Sequence, residues 1–530
     1  MATKRSYRNG ISVIIALVWT AWWIPPVEAA AEPKLAGSLR EQAREAETKG
    51  QWKKACELYD QLLAQDRSLG DIRERYQTCL RHSNLIDRHR DPTFQQQILN
   101  RDINFALKVY KEILTKLHAN YFDKDRSDFT KLFQSGLEQL IFALDNEVFR
   151  NDHLPANMKI ADVNQFQAQL REQWGQQTVA DPREASVQVF EVALAARKIL
   201  NLKPVVTVME FACGACAGLD EYTLYLTPGQ ISDALSTLEG EIIGIGIAIT
   251  IRDQRVLITE VLMGSPAGNG GLKPRDWIIR LDGKPVDNLP EEIINERLRG
   301  PSGSKVELEI FSMMDMKART VELVREVLRF PSIVQAQILP QHEGLGYCRI
   351  LTFQKTTVQE LDDTLVELKM QGLKVLILDL RGNRGGLLTA AVQVAERFLA
   401  KGKPIVATQS GVADQNRRFK ANYADALTVP LVVLVDGETA SAAEVLAAAL
   451  KDNVRATLVG QTTYGKWSIQ RVLQLEASGS GVRITLAKLL SPLNEPYSRN
   501  GIKPDLIIDQ GDQQLEAAIQ QAISLAFMRQ

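Results

Sequence analysis

Two stretches built on unbroken apolar runs, "VLIL" within "KVLILDL" and "LVVLV" within "PLVVLVD", constrain the fold of this chain more tightly than any other feature. A strand that is apolar on both faces must be covered on both, so it belongs inside a sheet flanked by helices. The surrounding text supplies those partners. "LLTAAVQVAERFLAK" and "SAAEVLAAALKD" follow the two runs with helical periodicity, "GLGYCRILTF" reads as a strand and "TVQELDDTLVELKMQ" as a helix ahead of them, and "RATLVG", "SIQRVLQL" and "GVRITLAKLL" read as later strands. Beyond Arg329 strands therefore alternate with helices, which predicts an α/β core with a mostly buried sheet. The amphipathic "QQLEAAIQQAISLAF" is expected to be a packing helix.

The chain has 530 residues, too many for one ordinary core, and about three or four domains are expected. Lys+Arg (63) and Asp+Glu (64) nearly cancel, so no global field points to nucleic acid or an anionic membrane. Lys4, Arg5 and Arg8 precede the apolar run Ile11 to Trp23, and Val27-Glu28-Ala29 offers small residues for cleavage, the pattern of an export signal with a mature start near Ala30. An uncleaved anchor competes with it, but the run is shorter than the roughly 20 residues of a comfortable span. Five cysteines in an exported chain allow at most two disulfides. Cys56 and Cys79 could link neighbouring helices, "CGAC" (Cys213, Cys216) reads either as a redox or metal motif or as two buried thiols on one helical face, and Cys348 is expected in the core.

From Leu39 to Arg81 the text is helical, with Ala43, Gly50, Trp52, Ala55 and Tyr59 at the spacing of one tetratricopeptide-like hairpin. Helical periodicity continues from Arg101 to Leu202, and Pro204 is expected to close that region. Glu241 to Phe311 then turns β-rich. "GIGIAITI", "RVLITEVL" and "KVELEIF" are strand-like and "GSPAGNGGLKPRDWIIRLDGKPV" is dense in turn residues. With Gly244-Ile245-Gly246-Ile247, Gly264-Ser265-Pro266-Ala267, Gly271-Leu272, Asp276 and Asp282-Gly283, this stretch resembles a PDZ domain. The resemblance implies a sheet edge that takes an extended peptide, its terminal carboxylate held near Gly244-Ile247. Arg275 stands where that family usually has glycine, and Gly270-Gly271 replaces a more ordinary helix ending.

Ser441 stands between an apolar strand and a helix, and Glu444 follows three residues later. That pair reads as a capping box. The same placement puts a hydroxyl at a strand's C-terminal end and a helix N-terminus, where ligands bind in open α/β sheets and where the Ala442 amide and the helix dipole would favour an oxyanion. A nucleophile there needs a base. None of the five histidines lies in the motif region, though a Ser-His-Asp triad could still assemble in the fold. Lys466, in "TTYGKWSIQ", is flanked by Gly465, Tyr464 and Trp467. A lysine desolvated by such rings can act as a base near neutral pH, whereas one in an open turn would stay charged.

The order "ILDLRGNRGGLL", "PLVVLVDGETASAAEVLAAALKD", "VGQTTYGKWSIQ", "NGIKPD", behind a PDZ-like segment, resembles the carboxyl-terminal processing proteases, S41-type tail-specific serine peptidases with a Ser-Lys dyad. The resemblance runs from about Leu219-Asp220 to Asp505. It implies Ser441 as nucleophile and Lys466 as general base, twenty-five residues apart as in the family, with Gln470 orienting the lysine. It further implies an oxyanion hole from Ala442 and the loop Gly385-Gly386, with Asp452, Glu444 and Thr463 in support. Arg384 replaces the loop's usual proline or glycine, and Ala443 replaces a second serine.

The implied fold class is multidomain α/β. It comprises an export signal (1–29), an all-α region with a tetratricopeptide-like hairpin (30–100), a further helical region (101–235), a PDZ domain (236–320), a ClpP/crotonase-like protease core (321–510) and a C-terminal helix (511–530). The implied activity is endopeptidase cleavage through an acyl-enzyme of protein or peptide substrates bound by their C-termini, in the periplasm or cell envelope, with no cofactor, metal or nucleic acid. A protein partner at the N-terminal helices and self-association stay open. The alternative is an inactive relative that uses the same domains as a scaffold, which loss of Ser441, Lys466 or Gln470 would have favoured.

Overall fold

From Pro33 to Ala217 the described chain is mostly helical, and the helix ends are written in the sequence. Asp102, Asp128, Asn146 and Asp181 each precede a helix and accept a backbone N–H from its first turn, an arrangement that stabilises each end by about 1 kcal/mol. The computed structural model describes residues 33–527 apart from 67–68, 253–254, 288 and 290. The expected export signal lies outside the described residues. Two units are distinguished, one containing Leu235–Asp379 and a second that joins Glu28–Ala234 with Leu380–Gln530.

In the second unit, α1 (Pro33–Thr48), α2 (Trp52–Gln65) and α3 (Gly70–Arg90) pack in order. Buried Ala43, Ala46, Ala55 and Tyr59 close the seam, and Tyr59 Oη donates to Glu47 Oε2 at 2.7 Å. A π turn at Phe94–Leu99 leads to α4 (Ile103–Asn120), α5 (Phe129–Asp145), α6 (Glu147–His153), α7 (Ile160–Trp174), α8 (Pro182–Leu200) and α9 (Pro204–Ala217). Pro204 does not close the helical region as expected. It occupies the first turn of α9, where a missing N–H costs nothing. The helix that follows is buried along nearly its whole length, and it crosses α5 so closely that a Cβ on Gly214 would lie 2.4 Å from Gln139 Cβ. Cys213 and Cys216 flank that crossing as buried free thiols, and Cys56, Cys79 and Cys348 are free and buried too.

Past α9 come β1 (Leu224–Leu226), α10 (Leu388–Glu396), β2 (Pro404–Gln409), β3 (Arg418–Lys420), β4 (Leu431–Val435), α11 (Ala442–Asp452), β5 (Thr457–Gly460), β6 (Ser468–Gln474), β7 (Gly481–Leu490), β8 (Leu506–Ile507) and α12 (Gly511–Phe527). β1, β7, β2 and β3 form an antiparallel layer in that order, with β6 also paired to β7. Val482, Ile484 and Leu486 of β7 share one core with the residues of α4 to α9, so the helical layer rests on this sheet. β4, β5 and β8 pair in parallel, and every residue of β4 is buried, as its unbroken apolar run requires.

In the other unit, antiparallel strands run in the order Ile247–Arg252, Arg255–Val261, Trp277–Leu281, Lys305–Ser312, Lys317–Val324 around Ile258, Ile278, Leu308 and Ile310. Arg275 adopts φ 77°, the conformation its family position gives to glycine. Leu345–Ile350 and Val375–Asp379 pair in parallel across the helix Thr357–Met370, a right-sized βαβ crossover.

Candidate active site

Ser441 sits where β4 hands over to α11, with φ 57° and ψ −118°. A non-glycine residue there carries roughly 1–3 kcal/mol of backbone strain, which persists only if the surroundings impose it. They do so from two sides. Asp436 follows β4, and its Oδ1 accepts the N–H groups of Glu438 at 3.0 Å and Thr439 at 2.9 Å, while its Oδ2 accepts Gly382 N–H at 3.0 Å. Burial raises the pKa of this carboxyl, against the pull of those bonds. Ala440 N–H donates to Asn383 O at 2.9 Å, so the loop ahead of Ser441 is stitched to the loop 380–386.

The second constraint is Glu444, a carboxylate with no exposed surface. Its Oε2 accepts the backbone N–H of Ser441 and of Lys466, each at 2.9 Å. Its Oε1 accepts Thr463 Oγ1–H and Gly465 N–H, each at 2.6 Å. Four donors satisfy the buried carboxylate, and two of them belong to the expected nucleophile and base. Glu444 therefore caps the helix and also joins the Lys466 strand to it.

Lys466 enters β6 from a tight turn. Gly465 has φ 86°, and a Cβ there would lie 2.9 Å from Gly501 N. Tyr464 N–H donates to Thr439 O at 2.9 Å, two residues before Ser441. The Lys466 ammonium lies over the Tyr222 ring, 5.0 Å from its centroid. Desolvation, and secondarily the Arg483 guanidinium, lower its pKa to about 8, with Glu444, Glu221 and Asp220 opposing. A lysine so placed has a sizeable neutral fraction near neutral pH.

The expected oxyanion donors differ in state. A Cβ on Gly385, whose φ is 104°, would lie 2.8 Å from Ser441 Cβ and 3.0 Å from Ala442 N, so only glycine fits beside Ser441. The Ala442 amide is the first of α11 and has no intrahelical acceptor. Gly385 N–H, by contrast, donates to Asn383 Oδ1 at 2.9 Å. Gly386 follows with φ 132°. Gln470 Nε2 donates to Ser468 Oγ at 2.8 Å and Thr485 Oγ1 at 3.4 Å, and among the described residues no hydrogen bond joins it to Lys466. Asp452 Oδ1 accepts Tyr497 O–H at 3.0 Å, and the Tyr497 ring meets Trp467 edge-on at 5.3 Å, steadying the neighbour of Lys466.

Four histidines of this unit are engaged within the helical layer. His82 pairs with Asn146, His89 with Glu210 and His153, and His118 with Ser127 O. Sequence reasoning missed Asn383, Asp436, Tyr222 and Arg483. Only the polar residues bracketing the apolar runs hinted at the first two.

Residues 344–508 match the model of Peptidase family S41, and residues 234–311 match that of the PDZ domain. The carboxyl-terminal-processing protease of Synechocystis sp. is 39% identical over 299 residues, 56% of this chain and 69% of that protein. This chain belongs to the carboxyl-terminal-processing protease family. The carboxy-terminal processing protease CtpA of Bacillus subtilis is 34% identical over 54% of this chain and 60% of its own length. Among solved structures, the photosystem II D1 C-terminal processing protease matches with a TM-score of 0.41 at 25% identity, covering 76% of this chain and 93% of that one.

As a carboxyl-terminal-processing protease, the chain is a serine peptidase with a PDZ domain. Its departures from the family pattern have structural consequences. Arg384 pairs with Glu438 at 2.9 Å. Ala443, at the second-serine position, is fully buried in α11. In the PDZ domain Gly244 ends the strand Glu241–Gly244, Ile245 is buried, Gly246 packs its bare Cα against Ser265 and Ile247 opens the next strand. Among the described residues no helix is long and apolar enough to cross a membrane, and no group of His, Cys, Asp or Glu could hold a metal ion.

Proposed function

We propose that this protease is an exported endopeptidase that takes a substrate's C-terminus on its PDZ domain and cleaves with a Ser441-Lys466 dyad. Glu444 is the observation that carries the reading, because one buried carboxylate takes the backbone amides of both residues. Neutral Lys466 accepts the Ser441 Oγ proton as the oxygen attacks the scissile carbonyl. The tetrahedral oxyanion falls to the Ala442 amide and to the Gly385-Gly386 loop, whose Gly385 amide must first leave Asn383. The lysine ammonium then protonates the leaving amine as the C–N bond breaks. Water, deprotonated by Lys466, hydrolyses the acyl-enzyme and regenerates Ser441. Gln470, once its amide leaves Ser468, orients the lysine, and Asp452 and Thr463 support it.

The Gly244-Ile247 segment takes the terminal carboxylate, and the peptide adds to the adjacent sheet edge as a strand. The reading extends to a tetratricopeptide-like hairpin within 30–100, a ClpP/crotonase-like core over 321–510 and export directed by residues 1–29. Incubating the mature protein with unfolded polypeptides bearing apolar or polar tails, beside Ser441→Ala and Lys466→Ala, tests it. Cleavage only by the unmodified protein is expected. Cleavage persisting in Ser441→Ala would remove the nucleophile assignment.

A further inference from the structure

We infer that α8 is a membrane-contact element, which lays an apolar crest into the interface of an anionic phospholipid bilayer and meets the lipid phosphates with the basic end of the helix. The inference goes beyond the peptidase reading and does not rest on the dyad. α8 buries Ala185, Val189, Val192, Ala193, Ala196 and Leu200 in the helical core. A surface helix that needs only that face to fold normally carries polar residues on the other. Here the solvent side holds Val187, Phe190 and Leu194, exposed by 55%, 37% and 47%. With 3.6 residues to a turn, these three positions fall within about 60° of one another and form one stripe along the crest. Exposed apolar side chains scattered singly are ordinary, whereas three in line on one helix mark a contact surface.

Charge decides what the stripe contacts. It runs toward Arg197 and Lys198 in the last turn of α8. There the helix end, the start of α4 and the turn into α9 surround a cavity of about 540 Å³, lined by Arg101, Arg197 and Lys203. Among the described residues none of Arg101, Arg197, Lys198 and Lys203 has an ion-pair partner. Asp102 also lines the cavity, where it caps α4 by accepting Phe105 N–H at 2.8 Å, so three cations face one acid. The other acids lie along the first two-thirds of α8. Asp181 accepts Arg183 N–H at 2.7 Å, Glu184 accepts Ala180 N–H at 2.8 Å, and Glu191 is exposed beside the stripe. An apolar stripe that ends in a cationic pocket matches the two layers of a bilayer interface, acyl chains and anionic phosphates. The crest of a helix is convex, a shape that lipid accommodates, whereas a peptide partner of this character is held in a groove. Neither matched family segment includes α4 or α8.

Cosedimentation with vesicles tests this on the mature protein beginning near Ala30, so that the apolar run Ile11 to Trp23 cannot account for binding. The vesicles hold phosphatidylglycerol and phosphatidylcholine in equal parts, or phosphatidylcholine alone. The unmodified protein should bind the anionic vesicles at least about tenfold more tightly than the neutral ones, and high salt should remove most of that difference. Phe190→Ser/Leu194→Ser and, separately, Arg197→Gln/Lys198→Gln/Lys203→Gln should each lower the affinity about tenfold with an unchanged melting temperature. If either variant melts lower, Phe190→Trp in the otherwise unmodified protein decides the matter. Its added fluorescence should shift to the blue on the anionic vesicles and be quenched by brominated acyl chains. A ring that stays unquenched, equal binding to the two kinds of vesicle, or full binding by both multiple variants would overturn the inference. So would a dimer in solution that Phe190→Ser/Leu194→Ser dissolves, because a second copy of the chain would then cover the stripe.

Discussion

Ser441 is held in a backbone conformation that glycine would adopt freely. Ser441→Gly and Ser441→Ala should both be inactive, but the glycine variant should be the more stable by about 1 kcal/mol, because only it releases the strain. Comparing the unfolding transitions of the two inactive proteins checks this. Lys466 makes a second prediction, because burial lowers its folded pKa to about 8 from an ordinary 10.5. Between those two pH values the unfolded chain holds a proton that the folded one lacks, so stability rises with pH across that window; below it, folding bears the cost of the buried charge. Lys466→Met should therefore be more stable than the unmodified protein at pH 7, by on the order of 2 kcal/mol after allowing for residual solvent access. Denaturation at pH 7 and pH 10 should show that advantage shrink as pH rises.

Elements explain why these two residues meet. β4 ends at Val435 and α11 starts at Ala442, while β6 begins just past Lys466, and Glu444 ties the last two together. Glu444→Gln would set an amide N–H2 against two of the four backbone and hydroxyl donors. The unpaired donors should cost about 2–4 kcal/mol, with kcat falling roughly a hundredfold and KM changing less, because binding elsewhere persists. Steady-state kinetics on one polypeptide substrate resolve the two. The strand and helix positions were legible because apolar runs and periodicity are local, and so was the Ser441–Glu444 capping pair. The φ of Ser441, the Asn383 bond to Gly385 and the Tyr222 ring over Lys466 were not, because each is imposed by residues distant in sequence. Pro204 was misread for a related reason: proline both ends and begins helices, and only the buried α9 after it decides which.

The second unit joins a helical layer and a sheet through one core, and that sheet carries Arg483, whose charge helps to lower the pKa of the lysine. In the proposed reading, capture of a substrate's C-terminus is the separate task of the PDZ domain. If a terminal carboxylate is recognised there, C-terminal amidation of a test polypeptide should raise KM about tenfold, the worth of a charge-assisted hydrogen bond. In that reading the kcat should change little, since the amide replaces a group used in binding and not one that reacts. Activation of Ser441 by Lys466 is tested by a fluorophosphonate probe, followed by intact-mass and peptide mass spectrometry across pH. Labelling at Ser441, with a rate that climbs through pH about 8 and collapses in Lys466→Ala, is the predicted result. Labelling at another residue, or an unchanged rate in Lys466→Ala, would contradict it.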